Sequence, residues 1–295
     1  MIQRERVAEN VYSFQSDVYA QVTAGAVIGP NWAVVIDTLA MPDESNEIRQ
    51  FIENELEVPV RYVINTHHHA DHCWGSCFFP GASVVAHTLC REKLVTDGQE
   101  HLRQARLQSP AFRQVKLVLP HITFHDSQIS LRVGKKTLTL MPLPGPCMDN
   151  IGVVVEEDRV LFAGDAFMPL PYVVGGDVDD TVASLKKISK MGLENVIQGH
   201  GDIVLRGEID LAIKDNLTYL SAIRKAVRNA SRRKYPLELL KTVDIEDCGK
   251  SRVLIGGLAP DLHRRNLVAL YRQLHGEPRI PSEDEYDDEE YEDEE

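Results

Sequence analysis

Thr66-His67-His68-His69-Ala70-Asp71-His72 is the stretch on which the reading of the fold turns. Four of the eleven histidines fall in this run, with an aspartate between the last two. It follows Val60-Arg61-Tyr62-Val63-Ile64-Asn65, β-branched and mostly apolar, which reads as a strand. It precedes Cys73-Trp74-Gly75-Ser76, which reads as a turn into a helix. A strand end is rigid and holds side chains at fixed distances. Neutral imidazole and carboxylate are the usual ligands of Zn²⁺ and similar divalent ions. Along an extended strand His67 and His69 point to the same side. Asp71 and His72 come after the bend and can turn toward a second point, so one segment is expected to serve two neighbouring metals. The competing reading is a surface histidine cluster, but such a tract needs neither an aspartate at this offset nor a strand before it.

Working outward, the segments before the run read as hairpins. Val11-Tyr12-Ser13-Phe14, Gln21 to Ile28 and Trp32 to Asp37 are candidate strands, with Gly29-Pro30-Asn31 as a turn. From Asp43 to Leu56 the pattern is helical, with Ile48, Phe51, Ile52 and Leu56 on one face. Strand, helix, strand in succession implies a crossover. After the run, Ala82 to Ala86 reads as a buried strand, 89–107 as helix and 117–126 as irregular. Ile129 to Val133 and Thr137 to Leu143 read as a hairpin that runs into the loop Pro144-Gly145-Pro146-Cys147-Met148-Asp149-Asn150. Ile151 to Val155 and Arg159 to Phe162 form another hairpin ending at Gly164-Asp165. Asp180 is expected to cap a helix bearing Val182, Leu185, Ile188 and Met191, and Asn195-Val196-Ile197 then delivers Gly199-His200-Gly201. These strands and helices fit two stacked sheets flanked by helices.

Beyond His200 the character changes. Ile209, Ile213, Leu217, Leu220, Ile223 and Val227 form a long apolar stripe, and Leu267, Leu270, Tyr271 and Leu274 a shorter one. The expected organisation is a metal-binding domain over 1–205, a helical extension packed on it over 206–278, and a disordered acidic tail over 279–295. A homodimer through the C-terminal helices is a second use for that extension.

The net charge of −13 is misleading until it is located. Glu283 to Glu295 holds eleven acidic residues and two tyrosines, which leaves about −2 for the rest of the chain. Such a tail cannot bury apolar surface. It would repel phosphates, which argues against nucleic acid as a partner. The five cysteines, Cys73, Cys77, Cys90, Cys147 and Cys248, are odd in number and lack framework spacing, so reduced thiols in a cytoplasmic protein are expected. No signal peptide is expected behind Met1-Ile2-Gln3-Arg4-Glu5-Arg6, and no apolar run is long enough to span a membrane.

The order His-x-His-x-Asp-His, Pro-Gly-x-x-x-Asp-Asn, Gly-Asp and Gly-His-Gly resembles the metallo-β-lactamase fold superfamily over roughly residues 11–205. The resemblance implies an α/β (α+β) fold, an αββα sandwich of two mixed β-sheets flanked by helices, here with a C-terminal helical extension. It implies that His67 and His69 belong to a first metal, that Asp71, His72 and His200 belong to a second, and that Asp165 bridges both. It also implies Zn²⁺, one or two ions, with iron or manganese as alternatives. One position departs. The family's third histidine of the first site falls on Pro146, which has no donor. Cys147 lies next to it and a thiolate is a good zinc ligand, although the geometry shifts by one residue. Otherwise the first site keeps two histidines, the aspartate and water and binds its metal weakly or not at all, with a mononuclear enzyme on the intact second site as the alternative.

The implied chemistry is hydrolysis of a small ester, thioester or lactone by a metal-bound hydroxide, with Asp71 orienting it and carrying its proton. Asp165 is informative, since the family's β-lactam-cleaving members mostly lack it, whereas its thioester, lactone (the glyoxalase II-like and lactonase-like branch) and phosphodiester hydrolases and its diiron redox members generally have it. Gly-x-Ser-x-Gly is absent, so no serine nucleophile is indicated. Trp74, Met148, Phe167, Met168, Leu170 and Tyr172 are the pocket candidates. A diiron redox protein on the same scaffold and a degenerate, non-catalytic metal-binding protein remain as alternatives, with a phosphodiesterase behind them.

Overall fold

The computed structural model describes residues 2–277. The acidic run Glu283 to Glu295 lies outside them. Two mixed β-sheets are stacked and flanked by helices. The first contains β1 (Ile2–Ala8), β2 (Val11–Ser16), β3 (Thr23–Ile28), β4 (Ala33–Ile36), β5 (Val60–Ile64), β6 (Ser83–His87) and β7 (Ile122–Phe124), in sequence order. Its first four strands are antiparallel neighbours; from β4 onward the pairs are parallel. The switch falls at α1 (Pro42–Gln50), the crossover between β4 and β5; α2 (Ala70–Cys73) follows β5, and α3 (Thr88–Lys93) and α4 (Gln99–Gln108) lie between β6 and β7. β1 and β7 went unread in the sequence; β1 is largely exposed and β7 has three residues, so neither carries a strong apolar signal.

The second sheet has the order β13-β12-β11-β10-β9-β8. Its strands are β8 (Ile129–Val133), β9 (Lys136–Pro142), β10 (Ile151–Val155), β11 (Val160–Phe162), β12 (Asn195–Ile197) and β13 (Val204–Leu205). Only β11 and β12 are parallel, joined through α5 (Val178–Ile188). The cap of α5 is Asp177 rather than Asp180: its carboxylate accepts from the backbone N–H of Asp179 at 2.6 Å and of Asp180 at 3.2 Å. Asp180 instead sits in the first turn, where a negative charge suits the helix dipole.

Alternation along the strands explains the layering. Val34 and Ile36 of β4 point between the sheets, with Val153, Val155 and Phe162, while Ala33 and Val35 point outward to Ile48, Phe51 and Ile52. On the second sheet, Val154 and Leu161 face outward. They share one apolar cluster with Leu185 of α5, Leu220 and Ile223 of α6 (Arg206–Ala230), Leu240 of α7 (Pro236–Lys241) and Leu267 of α8 (Ala259–His275). Strands buried on both faces read as continuous apolar runs, as Ile151–Val155 does. Each fully buried Val or Leu contributes about 1.5–3 kcal/mol, so the helices are held by the same physics as the sandwich. Leu274, expected on the apolar stripe of α8, is instead 52% exposed at its last turn.

Candidate metal centre

The chain leaves β5 at Ile64, and the histidine run is a bend followed by one helical turn, α2 (Ala70–Cys73), rather than extended strand. Asp37, just past β4, fixes the bend. Its Oδ1 accepts from the Thr66 backbone N–H at 2.7 Å and its Oδ2 from the Thr66 hydroxyl at 2.7 Å. Asp165 lies in a short 3₁₀ turn, Gly164–Ala166, after β11. Gly164 has φ +53°, and a Cβ there would stand 2.6 Å from Asn150 Oδ1 and 2.8 Å from Thr66 Oγ1. Asn150 Oδ1 accepts the Asp165 backbone N–H at 3.1 Å, while its Nδ2 donates to the carbonyls of Leu143 and Ala163. His200 follows β12 and is tied to the other sheet through a bridge to Val22. Three strand ends from two sheets thus converge on one edge.

The structure brings all six expected ligands, His67, His69, Asp71, His72, Asp165 and His200, to that point. Asp165 is central. Its Oδ2 lies 3.4 Å from His67 Nε2 and 3.8 Å from His69 Nδ1. Its Oδ1 lies 3.3 Å from His72 Nε2 and 3.5 Å from His200 Nε2. His200 Nε2 is also 3.5 Å from Asp71 Oδ2. His67, His72 and Asp165 can share an ion, as can Asp71, His72 and His200.

Neighbouring hydrogen bonds set the tautomers. His72 Nδ1 donates to Asp37 Oδ2 at 2.8 Å, and His200 Nδ1 donates to the Ala20 carbonyl at 2.9 Å. His67 Nδ1 lies 3.0 Å from Thr66 Oγ1, whose own proton goes to Asp37, so the imidazole is the donor. Each ring therefore turns its Nε2 inward, the arrangement that orients imidazole ligands in metal sites. His67 Nε2, His72 Nε2 and Asp165 Oδ1 are buried without a hydrogen-bond partner among the described residues. Orphaned polar atoms at this depth cost about 1–3 kcal/mol each. Three of them facing one another fit a divalent cation, which would satisfy all three.

Electrostatics agree. Burial alone would raise the Asp165 carboxyl, but His72, His67 and His200 hold it well below the usual carboxylate range. Asp71, half-buried, is likewise desolvated yet pulled down by His72 and His200. Burial lowers the pKa of His67 and keeps that imidazole neutral. His72 is also desolvated, but Asp165 and Asp37 drive it well up, so a cation among these groups would take the place of a proton.

At the first-metal position, Pro146 offers no donor. Cys147 is 3% exposed, and its sulfur and a ligand nitrogen of each of His67 and His69 all lie within 4.8 Å of one another. Burial, with the carboxylates of Asp149 and Asp165, pushes this thiol well above the usual range, so only a bound cation would make it a thiolate. His68 points away. Its Nδ1 is 2.9 Å from Asp149 Oδ1 and its backbone N–H donates to Oδ2 at 2.8 Å. Burial would raise Asp149, but the bond from His68 and the charges of His67, His68 and His69 hold it at about 2. Cys73 packs in the interior, its S–H toward the His68 carbonyl, and joins none of the metal-capable groups among the described residues.

Sequence reasoning missed Asp37, which has no motif around it. One backbone signal exists only in three dimensions: Asp37 has φ +55°, a left-handed conformation uncommon for a non-glycine residue.

A cleft of about 430 Å³ opens above His69, Asp71, Asp165 and His200. Met168 and Tyr172 line it, as expected, with Tyr19, Leu258, Leu262 and Arg265. Phe167 and Leu170 do not: both are packed in the core of the second sheet and its helices, and Trp74 borders a separate depression beside His68. Residues 167–172 are irregular, so no period in the sequence separates the side chains that face the cleft from those that face the core.

Residues 19–229 match the model of the metallo-beta-lactamase superfamily, and the chain belongs to it. Its members are mainly hydrolases. The chain is 24% identical over 147 residues to a beta-lactamase-like protein 2 homolog of Caenorhabditis elegans, covering 49% of this chain and 43% of that protein. It is 26% identical over 176 residues to the thioesterase pkgB of Emericella nidulans, covering 58% and 43%. The matches therefore span less than half the length of these curated relatives. Among solved structures, a metallo-beta-lactamase from Pontibacter korlensis superposes with a TM-score of 0.60 at 17% identity, over 72% of this chain and 98% of that one. A sec-alkylsulfatase from Pseudomonas sp. reaches 0.70 at 16% identity, over 94% and 50%. No helix among the described residues is long and apolar enough to cross a membrane.

Proposed function

We propose that the chain is a metal-dependent hydrolase of a small, partly apolar ester, thioester or lactone, with zinc held by His67, His69, Asp71, His72, Asp165 and His200. One observation carries this reading: the buried, unpartnered Nε2 atoms of His67 and His72 and Oδ1 of Asp165, from two strand ends, face one another beneath an open cleft. A divalent cation bound there supplies an acidified water and polarises the acyl oxygen. Asp71 is 15% exposed, on the cleft side, and kept ionised by His72 and His200. It accepts a proton from the attacking water and returns it to the leaving oxygen or sulfur. Asp165, better buried, stays a charged anchor between the histidines. Met168, Tyr172, Leu258 and Leu262 offer an apolar wall to the acyl chain, and Arg265 at the rim suits an anionic group at its far end. The thioesterase among the relatives supports an acyl substrate. The five cysteines form no disulfide, which supports a reducing, cytoplasmic setting.

The test pairs metal analysis of the purified full chain with turnover on a panel of acyl esters, acyl thioesters and lactones. We expect bound zinc, turnover on one class, and a loss of kcat of about 10²–10⁴-fold in Asp71→Asn. Metal-loaded protein inert across the panel, or iron content with oxygen uptake, overturns the reading.

A further inference from the structure

We propose that the Cys147 sulfur replaces the imidazole missing at Pro146, so that the first metal position is a His67, His69, Cys147 and Asp165 set. This rests on the reading that the site binds metal, and adds a ligand to it.

The loop carrying Cys147 is built to hold it inward. The Cys147 carbonyl accepts from the backbone N–H groups of Gly145 and Asn150, both at 3.3 Å. The Asn150 side chain in turn locks the loop to β9 through Leu143 and to the Asp165 turn through Ala163. Within this frame Pro146 cannot donate, and the next residue turns its side chain to the histidines. His67 is 0% exposed and its Nε2 has no hydrogen-bond partner among the described residues. This orphan nitrogen, rather than the cysteine, is the independent sign that a ligand belongs here. The sulfur also lies near His68 and Asp149. Those two already share two bonds, at 2.8 and 2.9 Å, and the Asp149 carboxylate also draws the Cys147 thiol proton, so metal binding would exchange that contact for a place beside His67 and His69. Binding transfers the thiol proton to solvent and forms one metal–sulfur bond, with no change of oxidation state. A Cys-His₂-Asp set is softer than three histidines and an aspartate, so it shifts preference from manganese and iron toward zinc, cobalt and cadmium.

Cobalt(II) is titrated into the metal-free full chain while bound metal is counted by mass spectrometry and the near-ultraviolet sulfur-to-cobalt charge-transfer band is recorded. The expected result is that the band grows with one equivalent of bound cobalt. Cys147→Ser loses the band and one equivalent. His200→Ala weakens the other position and keeps the band. Should Cys147→Ser fold poorly by circular dichroism, the double variant Pro146→His, Cys147→Ala settles the matter: it regains the lost equivalent without the band. Cobalt bound with no band, or a band that survives Cys147→Ser, overturns the proposal and leaves the metal site standing. No cobalt bound by folded protein overturns both this proposal and the proposed function.

Discussion

Asp37 Oδ2 accepts the Nδ1–H of His72 at 2.8 Å across a separation of 35 residues, from a backbone held at φ +55°. The same carboxylate carries Thr66, and through Thr66 it orients His67. One buried acid therefore aligns an imidazole of each proposed metal position without touching the cleft.

Replacing Asp37 with alanine should lower metal affinity about 10–100-fold, the usual effect of removing such a support. Breaking a buried charge pair should also destabilise the metal-free fold by about 3–5 kcal/mol. Chelator competition and denaturant unfolding check the two effects. Asp37→Asn keeps an acceptor oxygen and should lose less of both. Unchanged affinity in Asp37→Ala would remove it from the support of the centre.

Gly199 is a steric requirement of the site. A Cβ at this residue would lie 2.1 Å from Asp165 Oδ1 and 2.8 Å from the Gly164 backbone. Gly199→Ala should displace the Asp165 carboxylate, reduce bound metal, and cost about 1–3 kcal/mol through overpacking. Metal content measured beside the melting temperature separates loss of the site from loss of the fold. Gly192→Ala, with nothing within 4 Å of its added carbon but φ +63°, should cost stability alone.

The cleft wall is held from the helical extension. Asn266 Oδ1 accepts the Val173 N–H at 2.9 Å, and its Nδ2 donates to the Pro171 carbonyl at 2.7 Å. Asn216 Nδ2 donates to the Met168 carbonyl at 3.0 Å. Asn266→Leu would orphan two backbone groups, at about 1–3 kcal/mol each, and loosen the loop that carries Tyr172. KM should rise more than kcat falls. An equal loss in kcat with KM unchanged would place the effect at the metal ligands instead.

Lys250 donates to Asn216 Oδ1 at 2.6 Å, and burial lowers its pKa to about 8. The unfolded lysine titrates near 10.4. Between these values the unfolded chain retains a proton that the folded chain has released. Stability must therefore rise with pH across that window, and below about pH 8 the burden of the buried ammonium is constant. Unfolding midpoints of the wild type and Lys250→Met from pH 7 to 10 should diverge in slope only in the upper part of the range. Parallel profiles would show that Lys250 titrates normally in the fold.

Much of the centre was legible because it is local. His67, His69, Asp71 and His72 lie within one bend and one turn of helix, so their spacing alone speaks of shared ligation. Asp165 and His200 became readable only through the family's motif order, since each stands on a different strand end. The strands between them were visible as apolar runs because both of their faces are buried. The cap of α5 was misplaced by three residues because Asp177, Asp179 and Asp180 all suit a helix start, and only the backbone turn distinguishes them.

The sequence by itself determined the chemistry of the donors and the αββα layering, through residue type and the periods of the apolar pattern. The tertiary structure alone decided which ring nitrogens face inward. That choice depends on Asp37, Thr66 and the Ala20 carbonyl, and hydrogen bonds across 35 and 180 residues leave no trace in local spacing. It also decided that the chain beside Pro146 turns a sulfur toward His67 and His69. Loop direction is set by packing against Asn150 and the Asp165 turn, not by the order of the residues within the loop.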